Sequence, residues 1–356
     1  MKRLKKLIAM VVATMVVTGA LVGCGSKPST NEGTGDAIVD GGEEATGEVV
    51  RVAVLLYKFD DTYISTVRQS LQSIEDANSG KVDFEFYDGK GDQSVQNDLI
   101  DTVIQKGADL ILLNLVDTGA GQTAIDKIKE ANIPVTLFNR EPDEETIKSY
   151  EKAIFVGTNA KEAGIMQGEI VSDLWNSNKE AIDFNGDGVI QYVMLKGEPD
   201  NPEAVARTDF SVSTIVDNGI EVEELELAVA NWQTDLAQNA MEAWLANHGD
   251  GIELVLANND GMAQGAIAAL NNAGYNLGDA GKTVTVVGVD ATAAAQELIA
   301  KGYMLGSVLQ DAPAMAEALY ETGMNLVAGK SAIDGTSYEF DDTGIAIRIP
   351  YQQYLK

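Results

Sequence analysis

Two sets of oxygen-bearing side chains carry the chemistry visible in this sequence. The first is compact. Residues 183–194 read DFNGDGVIQYVM, placing Asp183, Asn185 and Asp187 at positions 1, 3 and 5 of a loop whose sixth residue is Gly188. An EF-hand loop begins this way around Ca2+, with alternate oxygen donors and a turn glycine. Val189 at position 7 offers a backbone carbonyl and Gln191 at position 9 an amide oxygen. Position 12, which should close the site with a bidentate carboxylate, is Met194 inside an apolar run, so the missing donor must come from elsewhere.

The second set is dispersed, and each member follows a short apolar run. Asp60 and Asp61 end VLLYKF, Asn114 and Asp117 follow LILL, and Asn139 and Arg140 follow PVTLF. Glu198 follows VMLKG, Asn258, Asn259 and Asp260 follow ELVLA, Asp290 follows VVGV, and Gln310 and Asp311 follow GSVL. Groups of this kind hydrogen-bond a neutral polar ligand in bidentate fashion. Asp and Asn are also the favoured caps of a following helix, so capping remains open for any single one of them.

The elements that position these residues are strands and helices in alternation. VRVAVLLY (50–57), VDFEFYD (82–88), DLILLNLVD (109–117), IPVTLFNR (133–140) and AIFVG (153–157) read as strands, with amphipathic stretches between them. The series then repeats in style with VIQYVMLKG (189–197), IEVEELEL (220–227), IELVLAN (252–258), VTVVGVD (284–290) and YMLGSVL (303–309). Helices are expected to start near Pro202, Trp232, Asp260, Ala291 and Ala312. Continuous apolar strands separated by helices imply parallel sheets covered on both faces. The expected fold class is therefore α/β, with two doubly wound lobes and a cleft between them. In such sheets ligands meet side chains just beyond the carboxyl ends of the strands, where the dispersed polar set lies.

Composition narrows the partners. The 356 residues are 45% apolar and 22% charged, with a formal net charge of −30. A charge of that sign repels phosphate backbones and anionic lipid surfaces, which excludes nucleic acid as a partner. The one basic cluster, MKRLKK, precedes the apolar run LIAMVVATMVVTGALVG and Cys24, the order of a secretory signal. LVGC (21–24) resembles a bacterial lipobox, which implies removal of residues 1–23 and lipid on Cys24, anchoring an extracytoplasmic protein to the cell membrane. An uncleaved anchor is the alternative. Cys24 is the only cysteine, so no disulfide forms within the chain. Residues 24–48, rich in Gly, Ser, Thr and acid, read as a tether.

Several strings together are more specific than any one of them. VLLYKFDDTYISTVR, NIPVTLFNREP, FVGTNAKEAGIMQGE, LKGEPDNPEAVART, ANNDGMAQGAIAAL and VVGVDATAAAQELI, with the Ca2+-like loop, resemble the galactose/glucose-binding proteins of bacterial ATP-driven sugar importers. The resemblance runs from about residue 50 to the C-terminus. It implies a type I periplasmic-binding-protein fold with three crossings, near Gly157–Asn159, Gln310–Asp311 and Ile345–Ile349. One lobe is then 49–157 plus 311–346, and the other 158–310 plus 347–356. Asp61, Asn139, Arg207, Trp232, Asn259 and Asp290 match the family's sugar contacts. Tyr63, Asn201, Glu203 and Gln310 stand at contact positions where the family usually carries Phe, His, Asp and Asn. Glu253 corresponds to the carboxylate that the family contributes to its structural calcium from outside the loop.

The resemblance implies a monomeric, non-enzymatic receptor that delivers a monosaccharide to a membrane permease. The chemistry agrees, because a hexose offers a rim of hydroxyls to Asp, Asn and Arg and apolar faces to aromatic rings such as Tyr63 and Trp232. Glucose, galactose and another pyranose such as xylose all remain open, as does docking to a chemoreceptor. A carbohydrate-active enzyme using Glu198 and Glu203 is the rival reading, but no nucleophile and base pair is evident, and His248, the sole histidine, sits at a helix end. A DNA-binding repressor of related architecture would carry a basic N-terminal domain in place of this acidic stretch.

Overall fold

The computed structural model describes residues 48–278 and 282–356. The signal segment, Cys24 and residues 24–47 of the expected tether lie outside them. From Val50 the chain runs β1 (Val50–Leu56), α1 (Thr62–Ala77), β2 (Val82–Asp88), α2 (Gln93–Lys106), β3 (Leu110–Leu113), α3 (Gly121–Glu130), β4 (Val135–Phe138), α4 (Glu144–Lys148) and β5 (Ala153–Gly157). It continues through α5 (Ala160–Asn178), β6 (Val189–Lys196), α6 (Pro202–Asp217), β7 (Glu221–Val229), α7 (Thr234–His248), β8 (Leu254–Ala257), α8 (Asp260–Asn272), β9 (Thr285–Asp290), α9 (Ala293–Lys301) and β10 (Gly306–Leu309). It closes with α10 (Ala312–Val327), β11 (Ala346–Arg348) and β12 (Gln352–Leu355).

These strands form two six-stranded sheets, in the orders β11-β5-β4-β3-β1-β2 and β12-β10-β9-β8-β6-β7. Every pairing is parallel except that of β10 with β12. The continuous apolar strands arise because each sheet is covered twice, and neighbouring residues of a strand serve opposite faces. In β1, Val52, Val54 and Leu56 pack with residues of α1 and α10, whereas Ala53 and Leu55 pack with residues of α2 and α3. In β6, Val193 and Leu195 join the layer of α7, α8 and α9, and Tyr192 and Met194 join that of α5 and α6. The edge strands β2 and β12 depart from this pattern in part, and β7, also at a sheet edge, does so most strongly. It carries Glu221, Glu223, Glu224 and Glu226, and such charges discourage pairing with a further strand.

The chain passes between the sheets three times. It does so after β5 at Thr158–Asn159, after β10 at Gln310–Asp311, and between β11 and β12 at Ile349–Tyr351. The last passage lies beyond the expected boundary at residues 346 and 347, which falls inside a strand of the first sheet. Arg348 fastens that strand by hydrogen bonds from Nη1 and Nη2 to Glu141 (both 2.7 Å) and from Nε to Asp341 (2.8 Å). Pro350 then removes the backbone donor that a continuing strand would need.

Helix packing in the second lobe depends on a bare backbone at Gly265. A Cβ there would lie 2.1 Å from the Thr234 carbonyl oxygen of α7 and 2.9 Å from the Gln238 nitrogen, neither of which can swing aside. Gly265→Ala is therefore expected to lower stability by about 1–3 kcal/mol in urea unfolding, despite the better helix propensity of alanine. Gly251→Ala, where no atom lies within 4 Å of the added methyl, should change stability by less than about 0.5 kcal/mol. Equal effects at both positions would mean that the α7–α8 contact does not require glycine.

Candidate functional site

The carboxyl ends of both sheets face one chamber with a cavity volume of about 40 Å³. All ten residues expected to contact a ligand line it. Asp61, Tyr63 and Asn139 come from the first lobe, Asn201, Glu203, Arg207, Trp232, Asn259 and Asp290 from the second, and Gln310 from a passage between them. Tyr57, Ile64 and Arg140 complete the wall. Residues that end β-strands on two separate sheets meet here because parallel strands present all their carboxyl ends on one side.

Capping and lining turn out to be the same job at three positions. Asp61 accepts from the backbone nitrogens of Tyr63 (3.0 Å) and Ile64 (2.8 Å) at the start of α1, and its other oxygen accepts from the Tyr57 hydroxyl at 2.5 Å. Asn201 caps α6 through Glu203 N (2.9 Å), and Asn259 caps α8 through Met262 N (2.9 Å). Asp311 caps α10 through Ala314 N without entering the wall.

Arg207 stands at the centre, 3% exposed. Its Nη1 donates to the Asn258 carbonyl at 2.9 Å, and its Nη2 donates to Glu203 (2.9 Å), Gln310 Oε1 (3.0 Å) and the Tyr351 hydroxyl (2.8 Å). Its Nε has no partner, and neither do Trp232 Nε1, Asp290 Oδ2, Gln310 Nε2 and Arg140 Nε. Five unsatisfied buried polar atoms on one wall are costly in a protein interior, at about 1–3 kcal/mol each. Such atoms call for a polar occupant.

Backbone strain is concentrated around the same chamber. Asn139, Asn231, Trp232, Asp290 and Ala291 all have positive φ, between 47° and 115°, a region that residues with a Cβ rarely adopt. Two features hold the Asp290 turn. Asp260 accepts from Ser307 Oγ (2.7 Å) and Thr292 N (2.7 Å), and that same Ser307 Oγ accepts from Ala291 N (3.0 Å). Burial pushes the Asp260 carboxyl above the usual range, and burial followed by the charge of Asp260 does the same to Asp290. Burial likewise raises Glu203, although Arg207, Thr158 and Tyr351 oppose it.

Across the chamber mouth the lobes meet directly. Arg140, which follows β4, donates to Glu198, which follows β6, at 2.6 Å, and its guanidinium lies 4.5 Å from the centre of the Tyr57 ring. Asn201 Nδ2 also donates to Glu198, at 3.2 Å. Glu198 is thus half of a bridge between lobes, and Glu203 is tied to Arg207. His248 pairs with Glu226 at 3.2 Å on the surface of the second lobe.

The Ca2+-like loop lies at the opposite, amino-terminal end of β6. Asp183 is buried; its Oδ2 accepts from Gly188 N (3.1 Å) and faces Lys179 Nζ (3.1 Å), and its Oδ1 has no partner. Glu253 precedes β8, beside the loop, and accepts from Phe184 N (2.7 Å) and Gln191 N (3.1 Å). Asp187 accepts from the amides of Asn185 (3.0 Å) and Gln191 (3.1 Å), and Val189 enters β6 with its nitrogen bound to Asp187 (2.9 Å). Among the described residues no three His, Cys, Asp or Glu side chains form a ready metal cluster. The donor set nonetheless suits a hard cation: all its groups are oxygens, one is orphaned, and Glu253 is held above its usual pKa by burial with Asp183 contributing.

Set beside known proteins, the chain is 39% identical over 302 residues to the D-galactose/methyl-galactoside binding periplasmic protein MglB of Haemophilus influenzae, covering 85% of this chain and 88% of that one. It is 30% identical over 275 residues to a putative rhizopine-binding protein of Rhizobium meliloti, covering 77% and 83% respectively. An ABC transporter solute binding protein from Bacillus halodurans, crystallised with myo-inositol, superposes with a TM-score of 0.68 at 26% identity, covering 87% of this chain and 96% of that one. The fold is shared with a periplasmic solute binding protein from Actinobacillus succinogenes holding D-allose, at a TM-score of 0.72, 20% identity, and coverage of 86% and 98%. The relatives are binding proteins, and nothing in the chamber pairs a nucleophile with a base. With the periplasmic binding protein domain matched over residues 52–331, the chain belongs to the periplasmic binding protein family.

Proposed function

We propose that this chain is the substrate-binding protein of an ATP-driven sugar importer, capturing D-galactose or D-glucose between its lobes and delivering it to the membrane permease. The observation that carries this reading is the set of unpartnered buried atoms in the chamber: donors at Arg207 Nε, Trp232 Nε1 and Gln310 Nε2, and an acceptor at Asp290 Oδ2. A ring of hydroxyls, each both donor and acceptor, satisfies such a mixed set, whereas an anion or an apolar ligand would leave part of it unpaired. Trp232 and Tyr63, one from each lobe, offer apolar surface to the faces of the ring.

Closure supplies the differential affinity. A ligand that bridges groups from two lobes stabilises the closed form, and only to the extent that it binds that form better. The relative named for D-galactose and methyl-galactoside favours a galactose-like pyranose. Gln310, Asn201, Glu203 and Tyr63, the family departures, are where another sugar or polyol would be selected. Family membership supports an extracytoplasmic location, and the LVGC string supports attachment by lipid on Cys24. We further propose a structural cation, Ca2+, held by Asp183, Asn185, Asp187, Val189, Gln191 and Glu253.

Titration calorimetry with a monosaccharide panel tests the central reading; heat from D-galactose or D-glucose supports it, and a silent panel rejects it. Trp232→Ala and Asp290→Ala should each weaken binding tenfold or more, in line with about 1–3 kcal/mol for leaving a buried polar partner unpaired. Unchanged titrations for both would remove the site assignment. Glu198→Gln, which keeps the shape but weakens the bridge to Arg140, should speed dissociation about threefold to tenfold in stopped-flow tryptophan fluorescence, with association little changed. For the loop, EDTA should lower the melting temperature by several degrees and Ca2+ should restore it, while Asp183→Asn should abolish the difference. A melting curve indifferent to both additions would reject the cation.

A further inference from the structure

Each of the three passages between the sheets contributes one buried polar side chain: Thr158 from the first, Gln310 from the second and Tyr351 from the third. All three converge beside Arg207. Its Nη2 has two hydrogens but three acceptors within 3.0 Å, namely Glu203, Gln310 and the Tyr351 hydroxyl. The Tyr351 hydroxyl in turn lies 2.8 Å from Thr158 Oγ and 3.3 Å from Glu203 Oε2. Tyr351 is 4% exposed and contributes nothing to the chamber wall. One guanidinium, on a residue of the chamber wall, therefore meets the second and third interlobe passages directly through Nη2 and the first through the Tyr351 hydroxyl.

Lobe rotation in two-domain proteins is absorbed by a few residues at the connecting segments. Here the side chains of those segments are tied to a single wall residue, so movement of one is felt by the other. We propose that Tyr351 is a positioning residue whose hydroxyl couples Arg207 to the first and third passages and thereby sets the balance between open and closed lobes. The ring fills the same space with or without its oxygen, so Tyr351→Phe removes the coupling and little else. Thr158→Val removes the first passage from the network, taking away the Thr158 contacts with the Tyr351 hydroxyl (2.8 Å) and Glu203 Oε1 (3.3 Å) while leaving the Tyr351–Arg207 bond. The inference deepens the ligand-trap reading and rests on it, but part of its test needs no ligand.

The experiment is single-molecule energy transfer on the full chain carrying Cys24→Ser, with fluorophores on cysteines introduced at the exposed positions Ser79 and Asp217, one in each lobe. Without sugar, Tyr351→Phe and Thr158→Val should each raise the ratio of open to closed molecules at least threefold, and the double variant should resemble either single one. With saturating D-galactose or D-glucose the closed state of each variant should live about fivefold to tenfold less long. An interlobe distribution matching the parent chain in both variants, or effects of the two substitutions that add in full, overturns the proposal. Should one variant fail to fold, the other decides alone. A parent chain that binds neither sugar sinks the sugar reading, while the ligand-free distributions still decide whether Tyr351 governs the lobes.

Discussion

The burial of the Arg207 guanidinium constrains everything around the chamber. A cation removed from water must be compensated by charge and by hydrogen bonds, or the cost reaches several kcal/mol. The protein answers with Glu203 one helical turn away, the carbonyl of Asn258, the amide of Gln310 and the phenol of Tyr351. Asp290, buried on the same wall with its Oδ2 unpartnered, is a further acceptor nearby. These partners come from a helix, two strand ends and two of the passages between sheets, so only the assembled fold can satisfy the cation. The local field that keeps Arg207 charged is thus inseparable from the topology that forms the cleft.

The same economy appears in the helix caps. A cap needs an Asp or Asn at the junction of strand end and helix start, and a ligand contact in a parallel sheet needs a polar side chain at that same junction. Asp61 uses one carboxylate oxygen for α1 and offers the other toward Tyr57 at the chamber wall. Capping fixes the side chain before any ligand arrives, which is preorganisation obtained without an added residue. The strained backbone at Trp232 and Asp290 acts in the same direction. Each is held in an unfavourable conformation by its surroundings, and in the case of Asp290 those surroundings are the hydrogen bonds of Asp260 and Ser307.

Much of this arrangement was legible in the sequence because two-faced burial leaves a strong mark. The ten runs read as strands emerged as β1 to β10, and the helices expected at Pro202, Asp260 and Ala312 begin at those residues. The helix expected near Trp232 begins at Thr234, because Trp232 and Asn231 take up positive φ and cannot start it. Of the ten expected contacts, Asp61, Asn139, Asn259, Asp290 and Gln310 were also readable from their place after apolar runs, whereas Tyr63, Asn201, Glu203, Arg207 and Trp232 rested on the family resemblance. Tyr57 and Tyr351 were not singled out, for a physical reason: their roles depend on partners 4 to 144 positions away, Asp61 for Tyr57 and Arg207 for Tyr351. Periodicity carries no record of such pairs. The third passage was placed too early because the ion pairs that hold Arg348 in the first sheet involve Glu141, some 200 residues earlier.

The two ends of the second sheet divide the work. At the amino-terminal end, Asp183, Asp187 and Glu253 gather carboxylates around the start of β6 and beside β8, and the cation proposed above would offset their mutual repulsion. At the carboxyl end, the same two strands deliver Glu198 to the interlobe bridge and Asn258 and Asn259 to the chamber. The β6–β8 pairing in between is four residue pairs long, from Tyr192 opposite Leu254 to Leu195 opposite Ala257. Fraying at the loop end would therefore run through only a short ladder before it reached the wall. Charge compensation at the loop and preorganisation at the chamber are then two demands on one pair of strands.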